Sequence, residues 1–228
     1  MKDKLIRFNV PYVGKIESDA AAKSMLVNRL IELYKTLNLV TKVFLRARFA
    51  IAPFLEIEES IKERKGIVYD LGCGFGMLSN LLSFVDPIVK IVGIDADADK
   101  IRIAKLTERR NLDFVKTSIL EFDYADANTF VMMDVLHHLP FEDQDLMLKK
   151  IHNALGPKGK LYIADVDTRP LLKYGVSRLA DFISGSKTYH RKLDDIVLLL
   201  EHHGYNIGNV KRLDKNRIVS YVFIECTK

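Results

Sequence analysis

The chain has 228 residues, 48% of them hydrophobic, and a formal net charge of +5. This length allows a substantial buried core, and the composition excludes an intrinsically disordered or low-complexity protein. Because Lys and Arg interrupt every apolar run and only two cysteines are present, we expect a cytoplasmic protein with no membrane-spanning helix, no disulfide framework and no metal site.

Residues 1–65 predict a helical cap that belongs to the same domain as the rest of the chain. Apolar residues at three- and four-residue spacing indicate a helix over 21–37. A second helical pattern covers 40–52 and ends before Pro53. A short acidic helix over 56–65 then leads into the core.

Basic residues concentrate at the two ends of the chain. Residues 1–65 carry a net charge of +5 and residues 170–228 one of +4, whereas residues 66–169 carry −4. The helix at 40–52 also mixes bulky apolar side chains with basic ones, which is typical of helices that lie on a membrane surface. Two interpretations stay open: ordinary amphipathic helices with solvated charges, or N-terminal helices in peripheral contact with a membrane.

From residue 66 onward, short apolar strands alternate with helical patterns. Such βα repeats predict an α/β fold with a mostly parallel sheet and helices on both faces, because parallel neighbours need crossover connections. The predicted strands are Ile67–Leu71, Val89–Asp95, Asp113–Lys116, Thr129–Asp134 and Lys160–Val166. The predicted helices between them are Gly76–Phe84, Ala98–Arg110 and Glu142–Leu155.

The C-terminal part breaks this alternation. A connection at about 170–191 is long for a strand-to-helix link and predicts an insertion that shapes a binding pocket. A helix over 193–203 should end at Gly204, where glycine tolerates the left-handed conformation. Two strands, 206–213 and 217–226, complete the chain and are joined by a tight turn.

A glycine-rich turn follows the first predicted strand. The turn holds Gly72, Gly74 and Gly76. Asp70 precedes it, and a helical pattern begins at Met77. A dinucleotide-binding turn would carry glycine at position 77, and its pyrophosphate would be repelled by a carboxylate before the turn. A positively charged ligand is instead attracted by that carboxylate.

The segments Val68–Leu78 and Val92–Asp97 resemble the cofactor motifs of class I S-adenosylmethionine-dependent methyltransferases. The resemblance implies a Rossmann-like, seven-stranded sheet whose last strand is antiparallel. It also implies S-adenosylmethionine as cofactor and S-adenosylhomocysteine as product, with the glycine turn, including Cys73, against the methionine part. Asp95 at the end of the second strand and the adjacent Ala96 would bind the ribose.

The same resemblance guides the assignment of the adenine contact. Members of the family often carry an acid after the third strand that bonds the adenine amino group. This sequence has Ser118 at that place. We therefore expect adenine to be held by the Ser118 hydroxyl, by backbone groups and by apolar contact with Ile119.

The segment after the fourth strand resembles the family's motif beside the transferred methyl group. Asp134 and Leu136 would contact the methionine end, with Asp134 bonding the ammonium. His137 would face the acceptor as a general base, since an imidazole pKa of about 6.5 suits neutral pH. His138 has the structural role, and a purely structural role for His137 is the alternative.

These features predict direct methyl transfer to a small-molecule acceptor, with a lipid-like or an anionic acceptor favoured by the composition. The insertion at 170–191 would bind the acceptor through Tyr174, Arg178, Tyr189 and His190.

Two other functions compete with this one. An RNA methyltransferase would suit the basic flanks and the pI of about 9.0. The sequence has no separate RNA-binding module and no Asn-Pro-Pro-Tyr segment, which makes nucleic acid the weaker choice. A cofactor-binding partner subunit without activity is the second alternative, against which Asp70, Asp95 and Asp134 argue. A monomer and a homodimer fit the sequence equally well.

Overall fold

The computed structural model describes residues 20–61, 64, 66–124, 127–184, 187–213 and 217–228, without the side chains at 20–23 and 180–184. Three predicted features therefore lie wholly or partly outside the described residues: the start of the cap, the end of the acidic helix at 56–65 and the hairpin turn at 214–216. Within the described part of the chain, each helix is too short or too polar to cross a membrane.

The described residues form a seven-stranded sheet with the order β3-β2-β1-β4-β5-β7-β6. The strands are β1 (Ile67–Leu71), β2 (Lys90–Asp95), β3 (Leu112–Lys116), β4 (Ala127–Met133), β5 (Lys160–Val166), β6 (Asn206–Arg212) and β7 (Tyr221–Thr227). Neighbours among β1 to β5 pair in parallel, whereas β7 runs antiparallel to both β5 and β6. The predicted Rossmann-like fold with an antiparallel last strand is confirmed.

Helices cover both faces of this sheet, as the sequence predicts. They are α1 (Ala20–Glu32), α2 (Leu39–Ile51), α3 (Phe54–Ser60), α4 (Met77–Val85), α5 (Ala98–Ala104), α6 (Phe141–Ala154), α7 (Leu171–Ser184) and α8 (Leu193–His202). One core layer joins Val68 and Val131 to residues of α1 to α5. The other joins Tyr69 and Phe130 to α6 and α8, because successive strand residues point to opposite faces.

The described part of the cap shares its hydrophobic core with the sheet. Leu30 of α1 and Leu45 of α2 are buried in the same layer as α4. Tyr34, just after α1, donates a hydrogen bond from its hydroxyl to the carbonyl of Phe75 in the glycine turn, at 2.8 Å. The cap therefore fixes the outer side of that turn.

Some predicted boundaries differ from the structure. β4 ends at Met133 because Asp134 takes a left-handed conformation, with φ of 56°, that leaves the strand. α5 ends at Ala104, before its predicted end, and the chain then turns back toward α4. The guanidinium of Arg109 holds this return by donating to the side-chain oxygen of Asn80 at 2.7 Å.

Helix α7 occupies much of the predicted insertion at about 170–191, to which the sequence pattern above assigns no helix or strand. Its inward positions Tyr174 and Ser177 carry polar groups, whereas Leu171, Leu172 and Leu179 are exposed. Leu172, Val176 and Leu179 recur at the four- and three-residue spacing of a helix, but the face that they form is exposed.

The strand order reverses between β1 and β4, which are neighbours in the sheet. Open parallel sheets bind ligands beyond the carboxyl ends of the strands at such a reversal. The glycine turn follows β1, and the segment with Asp134 and His137 follows β4. The topology therefore brings these two segments to one crevice.

Candidate active site

The three glycines of the turn after β1 have left-handed conformations, with φ of 66° at Gly72, 55° at Gly74 and 77° at Gly76. A Cβ at Gly72 would lie 2.4 Å from a methyl group of Val135, and one at Gly76 would lie 2.4 Å from the ring of Phe114. At Gly74 the nearest atom would be 3.9 Å away. Two glycines thus allow close packing, and the middle one faces open space.

Asp95 ties the end of β2 to this turn. Its carboxylate accepts hydrogen bonds from the backbone N–H of Gly74 and from that of Asp97, both at 2.8 Å. A carboxylate has about four acceptor positions, so two remain for a ligand. Asp95 is half-buried and the adjacent Ala96 is exposed, which leaves this side of the crevice accessible.

Asp70 lies behind the turn. Its side chain is 2% exposed and accepts a hydrogen bond from the Ser79 hydroxyl of α4 at 2.5 Å. Burial raises the pKa of Asp70 to about 7, although the hydrogen bonds from Ser79 oppose the shift. Burial, together with the charges of Asp70 and Asp95, also raises the pKa of Cys73, which leaves its thiol neutral and poorly suited as a nucleophile.

Asp134 meets two side chains from distant parts of the chain. One carboxylate oxygen accepts hydrogen bonds from the guanidinium of Arg48 in α2 and from the hydroxyl of Tyr221 in β7, the latter at 2.9 Å. Arg48 also donates to the Tyr221 hydroxyl at 3.3 Å. The other oxygen, Oδ1, is buried and accepts no hydrogen bond within the described part of the chain. Asp134 thus has an acceptor position available for a ligand.

His137 is buried, and its Nδ1 is hydrogen-bonded to Asp165 at the end of β5. Its backbone N–H also donates to Asp165, at 3.3 Å. Burial raises the pKa of Asp165, but the charge of His137 and the hydrogen bonds outweigh this and lower it overall. Because an ionised carboxylate only accepts hydrogen bonds, Nδ1 is the donor, and Nε2 is the ring nitrogen suited to accept a proton.

Asp134, His137 and Asp165 offer metal-ligand atoms that all lie within 4.8 Å of one another. Such a set has the chemistry of a divalent-cation site. Here Asp134 is already bonded to Arg48, and Asp165 to His137. The arrangement therefore fits a charge-balanced hydrogen-bond network better than a metal centre.

Tyr174 and His190 are the two predicted acceptor contacts that line a cavity, which has a volume of about 920 Å³. The His190 ring stacks on that of His137 with 4.9 Å between centroids. The Tyr174 ring meets His190 edge-on at 5.1 Å. The structure thus brings the three rings together, with His190 in contact with both Tyr174 and His137.

Arg178 and Tyr189 lie outside the lining of that cavity. Arg178 is exposed on α7 and donates to the Thr188 hydroxyl at 2.7 Å. The Tyr189 ring packs edge-on against Phe141 at 5.8 Å, while its backbone N–H donates to the carbonyl of His137 at 2.7 Å. Both residues hold the insertion in place beside His137.

The predicted adenine contacts lie after β3. The Ser118 hydroxyl oxygen accepts a hydrogen bond from the backbone N–H of Leu120 at 3.2 Å, which shapes the turn. Ile119 and Leu136 are buried in the core layer of α6 and α8. Ser118 itself is half-buried, so its hydroxyl can also meet a ligand.

Sequence reasoning assigned no site role to Arg48, Tyr221 or Asp165. For Arg48 and Tyr221 the chain offers no local signal, because each reaches Asp134 from a remote element. For Asp165 the sequence does contain a signal for a site role. β4 and β5 are parallel neighbours, so an acid at the end of β5 must lie near the residues that follow β4.

A protein family described as a methyltransferase domain matches residues 62–213, well over half of the chain. The chain belongs to this methyltransferase family. Among curated relatives, a carboxy-S-adenosyl-L-methionine synthase from Helicobacter pylori strain G27 is 30% identical over 115 residues, 48% of this chain and 48% of that protein. The chain thus spans about half the length of the curated relatives it matches.

Solved structures share the fold. Magnesium protoporphyrin IX methyltransferase from Synechocystis PCC 6803, with bound SAH, has a TM-score of 0.62 and 18% identity over 90% of this chain and 94% of that one. An S-adenosylmethionine-dependent methyltransferase from Mesorhizobium loti has a TM-score of 0.63 and 14% identity over 78% of this chain and 98% of that one. At these identities the likeness shows the fold alone, which is that of S-adenosylmethionine-dependent methyltransferases.

Proposed function

We propose that this chain binds S-adenosylmethionine and transfers its methyl group to a small-molecule acceptor, releasing S-adenosylhomocysteine. One observation carries the proposal: Oδ1 of Asp134 is buried and without a hydrogen-bond donor within the described part of the chain. Leaving a buried acceptor unsatisfied costs about 1–3 kcal/mol. The ammonium at the methionine end of S-adenosylmethionine would satisfy it.

The rest of the crevice supports the same ligand. The glycine turn would lie beside the methionine part, since Gly74 leaves open space at the end of β1. Asp95 would accept hydrogen bonds from the ribose hydroxyls with its remaining lone pairs. We assign cofactor binding to Asp70, Gly72, Cys73, Gly74, Gly76, Asp95, Ala96, Ser118, Ile119, Asp134 and Leu136.

For methyl transfer the protein needs only to position the acceptor against the methyl group and to remove a proton from the acceptor. S-adenosylmethionine, when bound, supplies a methyl group already activated for displacement at its sulfonium. His137 would accept the proton of a hydroxyl acceptor at Nε2, and Asp165 would hold the ring in the tautomer that this requires. A hydroxyl acceptor needs this base more than an amine does.

We assign residues 66–228 to the methyltransferase core and residues 1–65 to a cap of the same domain. The insertion at about 170–191 would bind the acceptor, with Tyr174 and His190 in contact with it. Exposed apolar residues on α2, such as Val40 and Phe44, support a lipid-like acceptor or peripheral membrane contact. We place the protein in the cytoplasm, where its free cysteines would remain reduced.

A second candidate is the synthesis of carboxy-S-adenosylmethionine, the activity that the curated relatives' names give. The observation in its favour is Arg48, whose guanidinium donates to Asp134 and Tyr221 and has further N–H donors that a substrate carboxylate could use. A guanidinium is the side chain best suited to bind a carboxylate. Mass spectrometry of the cofactor after turnover distinguishes the two: methyl transfer yields S-adenosylhomocysteine, and the synthase reaction yields a heavier, carboxylated cofactor.

Calorimetry with S-adenosylhomocysteine tests the main proposal without knowledge of the acceptor. We expect binding that Asp134→Asn and Asp95→Ala each weaken by about tenfold or more, because each removes a charged hydrogen-bond acceptor. Asp113→Asn is the matched control, since Asp113 pairs with Lys90 near the opposite ends of the strands. Absence of binding by the unaltered protein would overturn the proposal.

A further inference from the structure

The cavity of about 920 Å³ opens where the chain leaves the carboxyl end of β5 and enters α7. Its volume lies within the range of about 300–1,000 Å³ that is typical of small-molecule pockets. Three cations, Arg169, Lys192 and Arg212, contribute to its lining, against one acid, Asp195. The charge of the lining therefore favours an anion.

The three cations are not equivalent. Arg212 is already paired with the buried carboxylate of Asp167. The side chains of Arg169 and Lys192 form no ion pair or hydrogen bond with any residue that the structure describes, and both are exposed. Arg169 and Lys192 are thus the cations available to a ligand.

The backbone of Arg169 is held firmly in place. Its carbonyl accepts hydrogen bonds from the guanidinium of Arg212 at 3.2 and 3.4 Å and from the Ser220 hydroxyl at 2.7 Å. Asp165 and Asp167, two residues apart at the end of the same strand, hold His137 and Arg212 respectively. The backbone of Arg169 and the side chain of Arg212 are therefore tied to the same strand end that holds His137.

The lining of the cavity is also aromatic. Tyr174 and His190 belong to it, and His190 stacks in parallel on the ring of His137. A molecule in the cavity thus meets cations together with the ring that stacks on His137.

We infer that this cavity binds the acceptor through an anionic group, a carboxylate or a phosphate, held by Arg169 and Lys192. The assignment of this anionic group to the methyl acceptor rests on the proposed function. The binding of an anion in the cavity does not depend on it. The acceptor is then an aromatic or otherwise flat molecule that carries an anionic group. Neutral analogues of the same shape bind more weakly.

Ligand-observed NMR tests this inference with defined probes. Benzoate, 4-hydroxybenzoate and phenyl phosphate are compared with the neutral benzamide and 4-hydroxybenzamide, in the presence of S-adenosylhomocysteine. We expect the anionic probes to bind at least about tenfold more tightly, because a hydrogen bond to a charged group contributes more than a neutral one. The carboxylate and phosphate arms show which anion is preferred.

Two variants show whether the cavity is the binding site. The double variant Arg169→Gln/Lys192→Gln should weaken the anionic probes by about tenfold and leave the neutral ones unchanged. Lys105→Gln, at an exposed lysine after α5 near the opposite edge of the sheet, should change neither. Any of three results would overturn the inference: equal binding of anionic and neutral probes, binding of the anionic probes that the double variant does not change, or no binding by any probe.

Calorimetry with S-adenosylhomocysteine on the same samples separates the two proposals. If the cofactor product binds and the anionic probes do not, the anion site is wrong and the proposed function stands. If the probes bind and S-adenosylhomocysteine does not, the proposed function is wrong and the cavity is an anion site of another kind.

Discussion

The guanidinium of Arg48 in α2 contacts the carboxylate of Asp134 beyond β4, across a separation of 86 residues in the chain. Burial lowers the pKa of Arg48, but the charge of Asp134 and its hydrogen bond outweigh this and raise it, so Arg48 stays charged. Tyr221 of β7 bonds both residues. The cap, the centre of the sheet and β7, the strand next to its edge, thus meet at the acid that we assign to the cofactor ammonium.

This contact predicts a measurable coupling between the cap and the core. Arg48→Met should lower the free energy of unfolding by about 1–3 kcal/mol, because it removes a charged donor from a carboxylate that is only 10% exposed. Arg46→Met, at an exposed position of the same helix, should change it by less than about 0.5 kcal/mol. Urea denaturation of both variants gives the comparison, and equal effects would show that the ion pair does not stabilise the fold.

The glycine turn and the strand pattern were predictable because their signals are local. A strand that runs into three glycines requires left-handed backbone at the turn, and the φ values of Gly72, Gly74 and Gly76 confirm it. Gly204 likewise ends α8 with a φ of 86°. The alternation of strands and helices predicted the mostly parallel sheet, and the family resemblance predicted its antiparallel last strand.

The electrostatic partners in the crevice were not predictable in this way. The composition of α2 shows only that basic and apolar residues alternate, and it points equally to a membrane surface and to a core-facing helix. That Arg48 turns inward depends on how α2 packs on the sheet. The pairing of Asp165 with His137 depends on the neighbouring positions of β4 and β5, which become known only with the strand order.

The hydrogen bond between Asp165 and His137 predicts a characteristic loss of stability in acid. Its pKa is lowered in the folded protein, so its contribution is fully present above the usual value of 3.8 and is lost as pH falls through the folded value. Asp165→Asn should therefore cost about 3 kcal/mol near pH 7, and the deficit should shrink only below about pH 4. Asp194→Asn, at an exposed position of α8, is the control. A deficit that is absent at neutral pH would contradict the pairing.

Asp70 should show the opposite dependence on pH. Its pKa rises from 3.8 to about 7 on folding, so between these values the unfolded chain releases a proton that the folded chain keeps. The free energy of unfolding therefore falls as pH rises, by at most about 1.4 kcal/mol per pH unit, and levels off above pH 7. Asparagine cannot ionise at this position. The free energy of unfolding of Asp70→Asn should therefore increase relative to that of the unaltered protein between pH 4 and pH 7. Urea denaturation across this range gives the difference, with Asp113→Asn as control, and a difference independent of pH would contradict the assigned shift.

Substitutions at the glycines of the turn should affect the free energy of unfolding and the affinity for the cofactor product to different degrees. Gly72→Ala places a Cβ 2.4 Å from a methyl group of Val135 at a left-handed residue, and should lower the free energy of unfolding by about 2 kcal/mol or more. Gly74→Ala brings its Cβ only to an ordinary contact with Lys100 at 3.9 Å and should cost only about 1 kcal/mol for its backbone conformation. The methyl group that Gly74→Ala adds would stand where we propose the methionine part of the cofactor. The affinity of this variant for S-adenosylhomocysteine should therefore fall by about tenfold or more.

Gly175→Ala is the control for both measurements. Gly175 lies within α7, and a Cβ there would meet no described atom within 4 Å. It should raise the free energy of unfolding by up to about 1 kcal/mol, since alanine favours the helix, and leave the affinity unchanged. If Gly74→Ala binds S-adenosylhomocysteine as tightly as Gly175→Ala does, the open space at Gly74 is not the cofactor's position, and the assignment of the turn to the methionine part is wrong.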